Sequence, residues 1–161
     1  MKFLKLIVFI PFLMAASYPL EGGADKIEWL DFNSGFSKAI DEGKIAVIDC
    51  YTDWCGWCKV MDKKTFSDSG VIQRLKEKYI SIKFNPEKPG SYTTGGGDTL
   101  NGKQLLMALS NNKPSGYPTF FFFVPQTKQM FQVAGYQDIA KFNATLDDLE
   151  RYQKTAIEKA N

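Results

Sequence analysis

Two cysteines separated by two residues are the part of this sequence with the clearest chemical potential. Cys55 and Cys58 lie in the stretch WCGWCK, residues 54–59. The apolar run over residues 45–51 predicts a buried strand, and residues 58–66 predict a helix directly after it. A cysteine at a helix N-terminus lies near unpaired N–H groups and the positive end of the helix dipole, which favours the thiolate. The spacing therefore predicts disulfide exchange, with Cys55 attacking a target disulfide and Cys58 resolving the mixed disulfide.

A purely structural disulfide and half of a zinc site are the alternative roles for this pair. Structural zinc takes about four ligands, but the chain has three cysteines and no histidine. The third cysteine, Cys50, lies in the predicted strand and points to the sheet face opposite Asp49, so we predict a buried core thiol. The absence of histidine also excludes Cys–His and Ser–His–Asp catalysis. We expect neither a metal nor another cofactor.

The first residues have the pattern of a targeting segment. Two lysines among the first five residues precede an apolar run over residues 6–14 and the small residues Ala-Ala-Ser at 15–17. The run is short for a transmembrane helix and typical of a signal peptide. We predict a signal peptide over residues 1–17, with cleavage as late as residue 24, and a periplasmic or secreted protein. An uncleaved N-terminal anchor is the alternative.

Length, charge and apolar patterning describe the rest of the chain. A length of 161 residues fits one domain, and a net charge of +2 without a basic stripe gives no indication of a nucleic-acid partner.

The four phenylalanines at 120–123 predict a core strand buried on both faces. The predicted helices cover residues 32–40 (ended by Gly43), 58–66, 68–79 (capped by Ser67 or Asp68), 100–109 (capped by Asn101) and 138–156. The predicted strands cover 45–51, 79–84, 119–124 and 130–133, and residues 85–98 predict a loop. This order predicts an α/β fold with a central mixed sheet flanked by helices.

These features together resemble the thioredoxin family. In thioredoxins a strand aspartate precedes WCGPCK, and a proline after an apolar residue opens a later strand. Asp49 and the stretch GYPTF at 116–120 hold the matching positions. Residues 51–55 (YTDWC) and 64–68 (KTFSD) are more similar still to the C-terminal periplasmic domain of the DsbD thiol:disulfide interchange protein and to small exported thioredoxin-like proteins.

The resemblance implies a thioredoxin-like domain over residues 27–158, with its CxxC motif at a helix N-terminus. Two departures bear on substrate and redox potential. Gly56 and Trp57 replace the family's Gly-Pro between the cysteines, and the segment 85–118 is longer than in a minimal thioredoxin. We expect Trp54, Gly56 and Trp57 to contact clients, with Trp57 partly exposed as an apolar docking surface. The alternative is that Trp57 packs on the segment 85–117.

Further site residues follow from the resemblance. Asp49 matches the family's buried aspartate, whose carboxyl should have a pKa raised by desolvation and could exchange the proton of Cys58. Lys83 matches the lysine beside that aspartate. Pro118 matches a cis-proline facing the disulfide, which would let the Tyr117 backbone pair with an extended client segment. The alternatives are that Asp49 is an ordinary strand-end carboxylate with a polar partner, that Lys83 is an exposed strand lysine, and that Pro118 opens a strand without contacting a client.

The function that the resemblance implies is that of an exported thiol:disulfide oxidoreductase. Its partners would be disulfide-containing client proteins and a membrane-embedded electron donor, and we expect a monomer. The absence of histidine between the cysteines and the DsbD-like flanking residues favour a reductant or an electron relay. A disulfide oxidase or isomerase is the nearest alternative, and a non-catalytic thioredoxin-fold module that only holds clients is another.

Overall fold

A computed structural model describes residues 26–94 and 97–160 of the chain. The predicted signal peptide, with either cleavage position, lies outside these residues. The described helices are α1 (Phe32–Glu42), α2 (Gly56–Lys64), α3 (Ser69–Lys78), α4 (Gly102–Leu109) and α5 (Ile139–Ala160). The described strands are β1 (Ile45–Cys50), β2 (Tyr79–Phe84), β3 (Tyr92–Thr93), β4 (Thr99–Leu100), β5 (Thr119–Val124) and β6 (Gln129–Ala134).

The main sheet has four strands in the order β2-β1-β5-β6. Strand β1 runs parallel to β2 and antiparallel to β5, and β5 runs antiparallel to β6. All six residues of β1 are buried, because neighbouring strands cover both edges and helices cover both faces. This burial explains why its sequence is almost continuously apolar. The central mixed sheet is thus as predicted.

The core is divided by the sheet into two layers. Alternate residues of β5 point to opposite sides, so Phe120 and Phe122 pack with α2, α3 and α5. Phe121 and Phe123 pack with α1 and α4 on the other face. Cys50 is buried in this second layer. The prediction that it is a core thiol is confirmed.

Helix ends follow the capping residues in the sequence. Gly43 ends α1 in the left-handed region with φ of 64°, a conformation that glycine adopts without strain. Asp68 caps α3 by accepting from the Val71 N–H, and Asn101 forms a reciprocal capping box with Gln104 at the start of α4. The capping residues Gly43, Asp68 and Asn101 are among those predicted.

The predictions for the segment 85–98 and for the end of the last helix are wrong. The segment 85–98, predicted as loop, contains β3, which pairs with β4 in a small antiparallel hairpin. Tyr92 of β3 anchors the hairpin to the core by packing edge-on against Phe32 and Phe84. The final helix extends four residues beyond the predicted end at 156, to Ala160. Its first residue, Ile139, is exposed.

Candidate active site

The two cysteines of the CxxC motif form a disulfide at the N-terminus of α2. Cys55 is the N-cap, so α2 begins at Gly56, two residues earlier than predicted. The Cys58 N–H donates to the Cys55 Sγ over 3.0 Å. An N–H group aimed at this sulfur, together with the helix dipole, stabilises a Cys55 thiolate when the pair is reduced. The geometry suits nucleophilic attack by Cys55.

The sheet places this helix start next to the start of β5. Strand β1 ends at Cys50, which lies opposite Thr119, the first residue of β5. Pro118, just before that strand, is buried and follows a cis peptide bond from Tyr117, as the resemblance implied. Its carbonyl oxygen accepts from the Gly135 N–H over 2.8 Å, which fixes it against the end of β6.

Two exposed tryptophans stand on either side of Cys55 in the sequence. Trp54 is 67% exposed and Trp57 is 61% exposed, whereas both cysteines are buried. The Trp57 ring lies 5.4 Å from the Tyr136 ring, centroid to centroid. The exposure of Trp57 is as predicted, and its ring partner lies outside the segment 85–117. It is Trp54 that contacts this segment, since its ring meets Tyr117 edge-on at 5.7 Å.

A buried carboxylate and its lysine partner lie in the sheet, next to the helix that begins at the disulfide. The register of β1 with β2 sets Asp49 opposite Lys83, and the Lys83 Nζ lies 2.5 Å from the Asp49 Oδ2. The same ammonium lies 2.7 Å from the Oδ1 of Asp62, an exposed residue of α2. Lys83 is thus a partly buried bridge between two carboxylates, and the pairing of Asp49 with Lys83 is as the resemblance implied.

Aromatic rings complete the surroundings of this ammonium. Its Nζ lies 4.7 Å from the ring centroid of Trp29, 5.1 Å from that of Tyr51 and 5.4 Å from that of Phe66. Each ring face attracts a cation electrostatically. Burial alone would lower the pKa of Lys83, but the two carboxylates outweigh it and raise that pKa, so the lysine keeps its charge.

Burial has the opposite consequence for Asp49. Desolvation raises the pKa of this carboxyl from 3.8 to about 6, although the Lys83 ammonium works against that shift. Its second oxygen, Oδ1, is buried and has no hydrogen-bond partner among the described residues. A carboxyl with an unpaired oxygen and a pKa near neutrality can bind and release a proton at physiological pH.

Three residues that contact the candidate site residues were not predicted from the sequence. Asp62 could have been found, because it lies seven residues after Cys55 and therefore two helical turns along the same face. Glu87, which accepts a hydrogen bond from the Trp54 indole, follows β2. Tyr136 follows β6. No local pattern marks the last two, since they reach the site only through the strand order.

Neither a metal cluster nor a membrane span is found in the described residues. Within 26–94 and 97–160, no group of three or more histidine, cysteine, aspartate or glutamate side chains could hold a metal ion. Over the same ranges, every helix is too short or too polar to cross a bilayer.

Comparisons with known proteins place these features in context. The family model Thioredox_DsbH, described as "Protein of unknown function, DUF255", matches residues 13–156. The thiol:disulfide interchange protein DsbD of Salmonella paratyphi A is 32% identical over 120 residues, which are 73% of this chain and 18% of DsbD. The chain thus spans less than a fifth of the length of this curated relative.

Two solved structures show the fold. A thioredoxin from Thermus thermophilus superposes with a TM-score of 0.63 at 19% identity, covering 80% of this chain and 90% of the thioredoxin. A DsbH oxidoreductase superposes with a TM-score of 0.56 at 14% identity, covering 88% of this chain and 92% of the other. The chain therefore has the thioredoxin fold, and its CxxC disulfide and relatives support a thiol–disulfide redox role.

Proposed function

This chain belongs to the Thioredox_DsbH family, and on that premise we propose that it is a thiol:disulfide oxidoreductase that reduces disulfides of client proteins outside the cytoplasm. The observation that carries the proposal is the Cys55–Cys58 disulfide at the N-cap of α2, where the Cys58 N–H points at the Cys55 sulfur. A helix N-terminus of this kind lowers the pKa of a thiol and makes the thiolate available.

The reaction transfers two electrons from the reduced pair to a client. The Cys55 thiolate attacks one client sulfur, which breaks the client disulfide and forms a mixed disulfide, while the second client sulfur leaves as a thiolate. The Cys58 thiolate then attacks the Cys55 Sγ, forming the Cys55–Cys58 disulfide and releasing the first client sulfur. A separate dithiol donor, which we propose to be membrane-embedded, must reduce the pair again.

Asp49 and Lys83 supply proton transfer in this scheme. Cys58 must lose its proton before it attacks, and the buried Asp49 carboxyl has a pKa of about 6 and an unpaired oxygen. We assign to Asp49 the uptake of that proton, directly or through water, and its return when the pair is reduced again. Lys83, which keeps its charge, holds the carboxylate form in place over 2.5 Å.

The client segment would lie across the exposed aromatic side chains next to Cys55. Trp54 and Trp57 offer apolar surface on either side of the cysteine in the sequence, and Gly56 between them adds no side-chain bulk. Tyr117 and Pro118 directly precede β5, with the Tyr117 ring against Trp54, and an extended client segment could pair with the backbone there. A monomer offers this whole surface to clients.

The direction of electron flow is tested by the reduction potential. The protein is equilibrated in glutathione or dithiothreitol buffers, and the state of the pair is measured by thiol alkylation. A potential near about −270 mV, as in thioredoxin, would support the reductant, and one near about −120 mV, as in DsbA, would identify an oxidant. A Cys55→Ser variant that kept full disulfide-reductase activity would contradict the assignment of Cys55 as the attacking residue.

The non-catalytic alternative and the site of action need separate experiments. A client-holding module would keep its biological activity in a variant carrying Cys55→Ala and Cys58→Ala, whereas an oxidoreductase would lose it. Export is supported by the pattern of residues 1–17 and is tested by fusing residues 1–24 to a reporter enzyme that is active only after export. A reporter that stayed inactive would contradict the proposed location.

A further inference from the structure

We propose that Glu87 is a positioning residue for client binding, which fixes the exposed ring of Trp54 beside Cys55. The inference rests on the proposed function, because it concerns the surface on which a client disulfide approaches. Glu87 belongs to the turn after β2, and the Trp54 indole donates to its carboxylate, so we expect it to act on client binding through Trp54.

The hydrogen bond between these two side chains is bifurcated. The Trp54 Nε1–H donates to both carboxylate oxygens of Glu87, with N···O distances of 2.9 Å and 3.2 Å. A charged acceptor makes such a bond stronger than one to a neutral acceptor. The ring is 67% exposed, so core packing does little to hold it. The remaining ring contact that fixes it is the edge-on contact with Tyr117.

Glu87 is itself held in place by the turn to which it belongs. Its N–H donates to the Asn85 Oδ1 over 3.0 Å. The Asn85 Nδ2 in turn donates to the Oδ1 of Asp53 over 3.3 Å. The turn is thereby connected to the residue just before Trp54, and the carboxylate approaches the indole from a fixed backbone.

This arrangement ties together the two segments between which a client must approach. Trp54 directly precedes Cys55, and Tyr117 directly precedes Pro118, so their ring contact joins the two segments. A ring held in advance does not have to be ordered when the client binds, which lowers the entropic cost of association. The loss of Glu87 should therefore weaken client binding and leave the exchange chemistry unchanged.

Steady-state reduction of two oxidised substrates tests the inference. Insulin offers a polypeptide around its disulfide, whereas glutathione disulfide is too small to cover both rings. For Glu87→Ala we expect KM for insulin to rise about fivefold, as for the loss of one hydrogen bond and part of a ring contact, with kcat unchanged. KM for glutathione disulfide should stay at the wild-type value. Glu87→Gln should restore most of the affinity for insulin, because its amide oxygen still accepts the indole N–H.

Two further variants separate this effect from a general loss of structure. Glu77→Ala is the matched control, since Glu77 is an exposed glutamate of α3 that also accepts one side-chain hydrogen bond, from Gln73. It should keep the wild-type KM. In a Trp54→Phe background the N–H is absent, so adding Glu87→Ala should change KM for insulin no further.

Several results would overturn the inference. They are a fall in kcat for Glu87→Ala, an equal rise in KM for both substrates, a KM for Glu77→Ala as high as for Glu87→Ala, or a full additional effect of Glu87→Ala on top of Trp54→Phe. A wild-type protein that reduced neither substrate would instead refute the proposed function, and the inference with it.

Discussion

Replacing Asp49 with asparagine should stabilise the oxidised protein at neutral pH. Asp49 is 1% exposed, and desolvation raises its pKa from 3.8 to about 6. Since one pKa unit corresponds to about 1.4 kcal/mol, ionised Asp49 costs the folded state on the order of 3 kcal/mol relative to the neutral form. Asparagine keeps the shape without the charge, and Lys83 keeps Asp62 as its partner at 2.7 Å. That figure already includes the attraction to Lys83, so we expect a net gain of about 1–3 kcal/mol in the free energy of unfolding.

The gain should depend on pH in a defined way. Because folding raises the pKa of Asp49, the stabilisation from its bound proton is complete below about pH 4 and is lost as the pH rises through about 6. The wild-type protein therefore becomes less stable relative to Asp49→Asn over this window. The difference between the two proteins should be small at pH 4, grow towards pH 6 and stay constant above it.

Urea unfolding followed by circular dichroism measures this difference directly. Both proteins are unfolded in the oxidised state at several pH values from about 4 to 8, and the exposed Asp41→Asn on α1 serves as the control for losing a surface carboxylate. The control should change stability by less than about 0.5 kcal/mol. An Asp49→Asn protein that was less stable than wild type at pH 8 would refute the reasoning, since pairing with Lys83 would then outweigh desolvation. The same variant should slow disulfide reduction by about 100-fold or more, as for the loss of a general base.

The remaining predictions concern the cysteines, the second carboxylate and a close backbone approach. Cys58→Ser should accumulate a mixed disulfide with insulin that is visible on non-reducing gels, and Cys55→Ser should not; equal trapping by both would contradict the assigned order of attack. Asp62→Asn leaves Lys83 to one carboxylate, so the pKa of Asp49 should fall and the pH window of lost stability should move lower, while an unchanged window would contradict the shared ammonium. Gly102→Ala would place a Cβ 2.4 Å from the backbone carbonyl oxygen of Pro86, so urea unfolding should show a loss of about 1–3 kcal/mol; wild-type stability would contradict that clash.

Local patterns in the sequence were enough to predict most of the fold. The strand at 45–50 and the four phenylalanines at 120–123 lie in the middle of the sheet, where burial on both faces demands continuous apolar residues. Helix ends at Gly43 and Asn101 followed capping chemistry, which acts within a few residues. The small hairpin could not be predicted in this way. Its two-residue strands carry little pattern, and Tyr92 holds it through contacts with Phe32 and Phe84, far away along the chain.

In the candidate site, too, some features could be predicted from the sequence and others could not. The cysteine pair was predicted from its spacing, and the pairing of Asp49 with Lys83 was implied by resemblance and then given by strand register. The contacts of Trp54 with Glu87 and of Trp57 with Tyr136 were not predicted. The first contact joins the turn after β2 to the loop before α2, and the second joins the first turn of α2 to the segment after β6. Side chains at such junctions have no periodicity that sequence analysis can detect.

The position of the cysteine pair at the end of a central strand explains how one site can combine a buried acid with an exposed surface. Asp49 lies inside the sheet, with Lys83 opposite it on one neighbouring strand and Phe120 on the other, and its buried carboxyl is acted on by two charges, the adjacent Lys83 ammonium and the Asp62 carboxylate. Beyond Cys50 the chain leaves the sheet, and within a few residues it reaches the exposed Trp54. A shift of one residue in the β1 register would move Asp49 to the α1 and α4 face, away from Lys83 and α2. The same strand pairing that builds the core therefore sets the proton affinity of the Asp49 carboxyl. It also sets the distance from that carboxyl to the surface at which we expect clients to bind.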